Sequence, residues 1–221
     1  MKVVIWGAGN TGAMVAYIFS YDRDIQVAAV LDDDPALEGR TRHGVPVLRP
    51  EDRRLKSLRA EGVEAAIVAI GDGRLRERFS QVLEQNGFRI INAIHPDSSI
   101  SPHVKLGTGV IVSSGVTLYY NPVIGNNVFI GPGVTVTHDT VIEENVELAI
   151  GCTIGARVRV GKNAFVGVGA TVAARDDGHL TIGENAIVGI GAAVIDDVPP
   201  NAVVVGVPAR VVRYRNEGGR L

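Results

Sequence analysis

From Ile100 onward every sixth residue is aliphatic: Ile100, Leu106, Val112, Leu118, Ile124, Ile130, Val136, Ile142, Leu148, Ile154, Val160, Val166 and Val172. The position four further on is small or β-branched in most units, as in Val104, Val110, Val116, Val134, Cys152 and Ala164, and glycine often follows the aliphatic directly, as in Leu106-Gly107 and Ile124-Gly125. A period of six sustained over this length fits neither an amphipathic helix nor simple β alternation. It fits a two-residue strand and a tight turn, repeated, with three units closing a triangular coil of 18 residues. Stacked at the ~4.8 Å strand spacing, each aliphatic side chain rests on its counterpart in the next coil. The glycine after each aliphatic is expected to turn the corner. Beyond Val172 the next members in phase are Ile182, Val188 and Val194, so residues 173–181 carry four extra positions. They read either as a surface insertion or as a loop that closes over a ligand.

The first ninety residues follow a different rule, with apolar runs alternating with helical stretches. Lys2–Trp6 is a short apolar strand, followed by Gly7-Ala8-Gly9-Asn10-Thr11-Gly12 and an amphipathic segment to about Ser20. Residues 27–31 form a second strand ending in Asp32-Asp33-Asp34, residues 65–70 a third, and a helix runs from Arg74 to Asn86. This alternation predicts a small parallel sheet of Rossmann-like α/β type. A glycine turn opening a helix directly after a strand can hold a diphosphate on backbone N–H groups. Asp32, 20 positions after Gly12, completes a dinucleotide fingerprint. Only about 95 residues precede the repeats, roughly half of a full dinucleotide fold, so a purely structural turn and the binding of some other nucleotide both remain open.

Composition narrows the field. With 46% hydrophobic residues in 221 the chain can bury a core, while 5% aromatics and 27 glycines suit a thin prism with many tight turns. Lysine plus arginine (22) balances aspartate plus glutamate (24), giving a net charge of -2 and no footprint of a nucleic-acid binder. No apolar run reaches membrane-spanning length, and the start lacks the marks of a signal peptide, so a cytoplasmic protein with no membrane partner is expected. The single cysteine, Cys152, excludes a disulfide framework, and its place at the small fifth position of a hexad reads as packing. Of the five histidines, His43, His95, His103, His138 and His179, none is an 18-residue partner of another, so a coil-borne zinc site is not expected and no metal is expected to take part.

The hexads of residues 100–198 and the ending Val205-Gly206-Val207-Pro208-Ala209-Arg210 resemble the hexapeptide-repeat acyltransferases. The resemblance implies a left-handed parallel β-helix and a homotrimer. The glycine turn, Val30-Leu31-Asp32-Asp33-Asp34, Ala69-Ile70-Gly71-Asp72 and Ile94-His95-Pro96 extend the likeness over the whole chain. It is similar to the sialic acid O-acetyltransferase and the bacillosamine or perosamine N-acetyltransferase type. That family implies a nucleotide-sugar-binding domain over residues 1–94, a β-helix acyltransferase domain over 95–210 and a C-terminal tail over 211–221. It implies nucleotide-sugar contacts from Gly9, Asn10, Thr11, Asp32 and Asp33, although relatives often carry Gly-His where this chain has Asn10-Thr11. His138 is implied as general base, Asp139 as the carboxylate behind it, and acetyl-CoA as cosubstrate held by Glu147, Ala156, Val168 and Ile190. Glu147 stands where several relatives carry a histidine. The implied reaction is direct transfer of acetyl to the amine of an amino sugar in glycan synthesis. O-acetylation of a sugar or sialic acid and a non-catalytic, nucleotide-binding trimeric scaffold are the alternatives. Arg210, Arg213, Arg215 and Arg220 form a basic end that reads as solvated, or, for Arg210, as a phosphate contact.

Overall fold

The alternating apolar runs of the first unit build a six-stranded sheet, seen in a computed structural model that describes residues 1–175 and 178–215. In chain order the elements are β1 (Lys2–Trp6), α1 (Asn10–Phe19), β2 (Gln26–Leu31), β3 (Thr41–Arg42), β4 (Val45–Leu48), α2 (Asp52–Ala60), β5 (Val63–Val68), α3 (Gly73–Gln85) and β6 (Arg89–Ile90). The strands lie in the order β3-β4-β2-β1-β5-β6, all parallel except the β3/β4 hairpin. β1 is apolar at successive positions because β2 and β5 flank it and both sheet faces are covered; Val3, Val4 and Ile5 are wholly buried. One face packs Trp6 and Leu31 with Leu55, Leu58, Leu83 and Phe88, and the Trp6 ring stacks on Phe79 at 4.5 Å. α3 starts where the Asp72 carboxylate accepts the Arg74 and Leu75 N–H groups at 2.9 and 3.2 Å. The chain leaves β1 toward β2 on one side and returns to β5 on the other. The carboxyl ends of β1 and β5 therefore form a topological switch point, where α/β sheets take their ligands.

The second unit is a left-handed parallel β-helix. Each aliphatic of the six-residue period is the last residue of a strand of two or three residues, and strands pair in parallel with their counterparts one coil on. Leu118 faces Val136, Val136 faces Ile154, and Ile154 faces Val172. These side chains fill the prism: Leu118 is 1% exposed, Val136 and Ile154 not at all. Three such columns of strands make its three faces.

The corners are turned by a different set of residues from the one the sequence indicated. Every sixth residue from Gly109 to Gly169, including Asn121, Asn127, Asp139, Asn145, Arg157 and Asn163, has a left-handed backbone with φ between +48° and +69°. The glycines after the aliphatics do not adopt it. They are small because coils nearly touch there: a Cβ on Gly125 would stand 2.7 Å from the Glu144 backbone nitrogen.

The four extra residues fall between the Thr171–Val172 and Leu180–Ile182 strands, and the register simply lengthens, with Val160 pairing Ile182. The chain closes with strand Ala202–Val205 and an antiparallel strand Arg210–Tyr214 laid against it, so residues 211–214 of the expected tail belong to a sheet. Arg220 lies outside the described residues. Among those residues no helix is long and apolar enough to cross a membrane.

Gly125→Ala should cost about 1–3 kcal/mol, because backbone cannot move away from the new methyl group. Chemical denaturation checks this; an unchanged midpoint would mean that the coils can separate locally.

Candidate active site

The corner between strands Thr135–Val136 and Val141–Ile142 carries His138 and Asp139. Asp139 occupies the left-handed corner position, φ 56°, which aspartate tolerates better than most residues. Its Oδ2 lies 3.0 Å from His138 Nδ1. The backbone of the pair is held from both neighbouring coils. Below, the Asp139 N–H donates to Asn121 Oδ1 at 3.2 Å; above, the Arg157 N–H donates to the His138 carbonyl at 3.1 Å. Buried Thr140 places its hydroxyl 3.2 Å from that same carbonyl and 3.1 Å from that of Gly155.

The hydrogen bond from His138, seconded by Asn121, holds the Asp139 carboxyl below its ordinary value. An ionised carboxylate only accepts, so the neutral imidazole keeps its proton on Nδ1 and turns an unprotonated Nε2 outward. The His138 and Asp139 side chains are 40% and 46% exposed, which leaves the ring open to a substrate. Beside it lies a cleft of about 380 Å³ lined by Ser101, Tyr119, Tyr120 and His138.

The residues expected to contact a donor do not gather around His138 within one chain. Ala156 does lie in its corner, one coil on. The coil-to-coil bonds from Gly155 N–H to Val172 and from Arg157 N–H to His138 pass on either side of the Ala156 N–H. Glu147 stands on a prism face, paired with Phe129 and Phe165. Val168 and Ile190 belong to another corner, exposed at 42% and 79% and linked by the Gly191 N–H to the Val168 carbonyl. Nine residues are one and a half hexads, which carries Glu147 around the prism from His138.

In the first unit, the glycine turn stands at the switch point. Gly7 and Gly12 are demanded by packing: a Cβ on Gly12 would run into the Gly7 carbonyl oxygen, and one on Gly7 would stand 2.4 Å from the Ala69 carbonyl oxygen. Gly9 has open space around it, and it begins α1 with no side-chain cap. Gly9 and Asn10 are exposed and Thr11 half-buried, so the first N–H groups of α1 are accessible to an anion. Asp32 is engaged structurally, with Oδ2 accepting the Ala8 N–H at 2.8 Å and Oδ1 the Asp34 N–H at 2.9 Å. Asp33 is exposed beside it.

Cys152 is buried, and burial pushes its thiol up to about 12, which removes it as a nucleophile. Among the described residues no cluster of three or more histidine, cysteine or acidic side chains is placed to hold a metal ion. Sequence reasoning missed Asn121, Tyr119, Tyr120 and Ser101. Subtracting the 18-residue coil from Asp139 and His138 leads to Asn121 and Tyr120 directly.

Family models match in two places: the PglD N-terminal domain over residues 2–83 and the bacterial transferase hexapeptide (six repeats) over residues 121–149. Among solved structures, PerB from Caulobacter crescentus in complex with CoA and GDP-perosamine is 37% identical. The match has a TM-score of 0.86 and covers 96% of this chain and 97% of that one. A histidine-to-alanine mutant of the GDP-perosamine N-acetyl transferase from Caulobacter crescentus, with the same two ligands, matches at 35% identity and a TM-score of 0.73, over 96% of both chains. The acetyltransferase domain of PglB from Neisseria gonorrhoeae with acetyl coenzyme A follows at 26% identity and 0.84, over 96% of this chain and 98% of that one. The curated relatives are of another kind. The redox-sensing transcriptional repressor Rex of Streptomyces avermitilis is 31% identical over 91 residues, 41% of this chain and 36% of that protein. The chain spans between about a third and about half the length of the curated relatives it matches.

With Asp139 depressed from 3.8, its contact with His138 is fully present above that value and is lost as pH falls through the lower, folded one. Long-range nitrogen NMR should find the proton of the neutral His138 ring on Nδ1, and Asp139→Ala should abolish that preference. An Nε2-protonated ring in the unaltered protein would overturn the assignment.

Proposed function

Because the chain belongs to the hexapeptide-repeat sugar acetyltransferases of the perosamine and bacillosamine N-acetyltransferase type, we propose that it moves an acetyl group from acetyl-CoA to the amine of a nucleotide-linked amino sugar, as a cytoplasmic homotrimer. The observation that carries this reading is the His138–Asp139 pair, fixed by the coils above and below and open to a cleft. Relatives at 37% and 26% identity were solved with CoA and GDP-perosamine, and with acetyl coenzyme A.

Transfer is direct. The amine lone pair attacks the thioester carbonyl while Nε2 of His138 takes a proton from the amine, and Asp139 stabilises the imidazolium that results. The negative charge on the tetrahedral oxygen is met by a backbone donor, for which the Ala156 N–H is placed one coil beyond the base. Collapse expels the thiolate, which regains the proton from His138 and leaves as coenzyme A, with the amide formed. Only the unprotonated Nε2 serves, so fixing the Nδ1 proton with Asp139 sets the ring for this task. Glu147, Val168 and Ile190 would contact the donor from other sides of the prism, which requires neighbouring copies.

In the N-terminal unit the open N-terminus of α1, with Gly9, Asn10 and Thr11, suits the diphosphate of the sugar nucleotide. Asp33 is free to meet the nucleoside or sugar, while Asp32 braces the turn. A sugar hydroxyl could be acetylated by the same base, so nitrogen and oxygen acceptors are separated by experiment.

Thiol release from acetyl-CoA over a panel of nucleotide-linked amino sugars, GDP-perosamine included, with their hydroxyl counterparts, tests the reading directly; silence throughout would overturn it. His138→Ala should lower kcat/KM by about 10²–10⁴ with melting temperature and particle mass unchanged. Asp33→Ala should raise the KM of the nucleotide sugar by about tenfold or more and leave that of acetyl-CoA alone. If the acetyl-CoA KM moves instead, the acidic pair belongs to the donor.

A further inference from the structure

The wall of the cleft beside His138 is aromatic, in a unit whose interior is filled by aliphatic side chains. Two of the chain's five tyrosines, Tyr119 and Tyr120, are adjacent there and 62% and 52% exposed. They sit one coil before the base and in register with it: Leu118 pairs Val136, and the Tyr119 N–H donates to the Val136 carbonyl at 2.9 Å. The His103 ring meets Tyr120 edge-on, with centroids 5.2 Å apart and planes at 64°, which orients the phenol ring. Among the described residues Ser101 completes the lining, with His138 as the imidazole beside the two phenols.

On the acetyl-transfer reading, with the Ala156 N–H meeting the thioester oxygen, the acceptor comes from this side of the imidazole. The Ala156 N–H, placed for the thioester oxygen, lies in the coil after His138, and the tyrosines lie in the coil before it. Among the described residues this lining, two phenols, one serine hydroxyl and the imidazole, holds no lysine or arginine for a phosphate. It presents a flat apolar face and hydroxyls at its edge, the complement of a pyranose ring with its C–H face and its ring hydroxyls. We propose that Tyr120, braced by His103, is the platform on which the acceptor's sugar ring stacks, with Tyr119 and Ser101 meeting ring hydroxyls, so that the amine is presented to Nε2 of His138. This rests on the acetyl-transfer reading, in which the sugar is the acceptor. Tyr120 is then a specificity-determining residue and His103 a positioning residue that acts through it.

The experiment compares Tyr120→Ala and Tyr120→Phe with the unaltered protein, using GDP-perosamine and GDP as probes. Steady-state kinetics should show the nucleotide-sugar KM raised about tenfold in Tyr120→Ala and far less in Tyr120→Phe, which keeps the ring. The acetyl-CoA KM and the shape of the pH profile should not change. Saturation-transfer NMR should show transfer to the sugar-ring protons of GDP-perosamine in the unaltered protein and its loss in Tyr120→Ala. A raised acetyl-CoA KM, or a changed particle mass in Tyr120→Ala, would overturn the proposal by assigning the ring to the donor or to a subunit contact. Lack of transfer to the ring protons in the unaltered protein would overturn it as well. A silent thiol-release panel with ring transfer intact and Tyr120-dependent would sink acetyl transfer while upholding the platform.

Discussion

Parallel pairing of each residue with the one 18 positions on is the constraint from which the C-terminal unit follows. A coil this short has an interior one side chain deep at each face, so the inward position must be aliphatic and the neighbouring corner position small. The coils lie so close that the residue after the aliphatic is often denied a Cβ, and every corner needs a left-handed residue. Where glycine does not supply that conformation, asparagine does in most cases, with Asp139 and Arg157 as the others in the run from 109 to 169, and asparagine adds cohesion: Asn145 donates to Asn163 at 3.0 Å, and Asn163 to Asn185 at 3.2 Å. Most backbone hydrogen bonds run between coils, while turn bonds such as that from the Cys152 N–H to the Ala149 carbonyl close corners within a coil, so a corner is positioned by its neighbours above and below.

That same constraint prepares the chemistry. Aspartate is among the few residues that accept the left-handed corner, so at Asp139 the fold places a carboxylate beside the preceding histidine with little strain. Coil-to-coil bonds fix the backbone on both sides, and the imidazole is oriented before any substrate arrives, which is what charge development in a transition state requires. In the N-terminal unit packing acts by exclusion. Gly7 and Gly12 are consumed by the close approach of strand and helix, Asp32 is consumed in bracing the turn, and what remains for a ligand is the uncapped helix end and Asp33.

Much of this was legible in the sequence because the period is written in the residues that the core selects. Ile100 to Val172 gave the coil length, the glycine turn gave the end of β1, and His138-Asp139 marked the corner that opens to a cleft. The two glycine roles were not separable, since a glycine needed for close approach and one needed for its φ are the same letter. Helix α2 was hidden because only Leu55 and Leu58 of its nine residues are buried, too few to show a helical period. The aromatic wall was hidden for another reason: Tyr120 and His138 are neighbours in space at a separation that has meaning only once the coil length is used as a ruler.

The four extra residues after Val172 show why such a fold can vary without losing its core. Position 174 follows His138 and Ala156 in the same corner column, so the chain lengthens at the corner that carries His138. The strands on either side keep their partners, Val172 with Ile154 and Ile182 with Val160. The described part of the added segment is tied to the coil beneath it: the Arg175 N–H donates to the Ala156 carbonyl at 3.3 Å and Arg157 donates to the Arg175 carbonyl at 3.1 Å. Arg175 also pairs with Asp197 at 3.4 Å. The inward positions of the faces are held by buried aliphatics, whereas outward face positions carry Glu147, Phe129 and Phe165, and corners such as this one carry an insertion, aromatics and charge. Corners can therefore vary one by one while the prism that fixes the backbone of His138 stays the same.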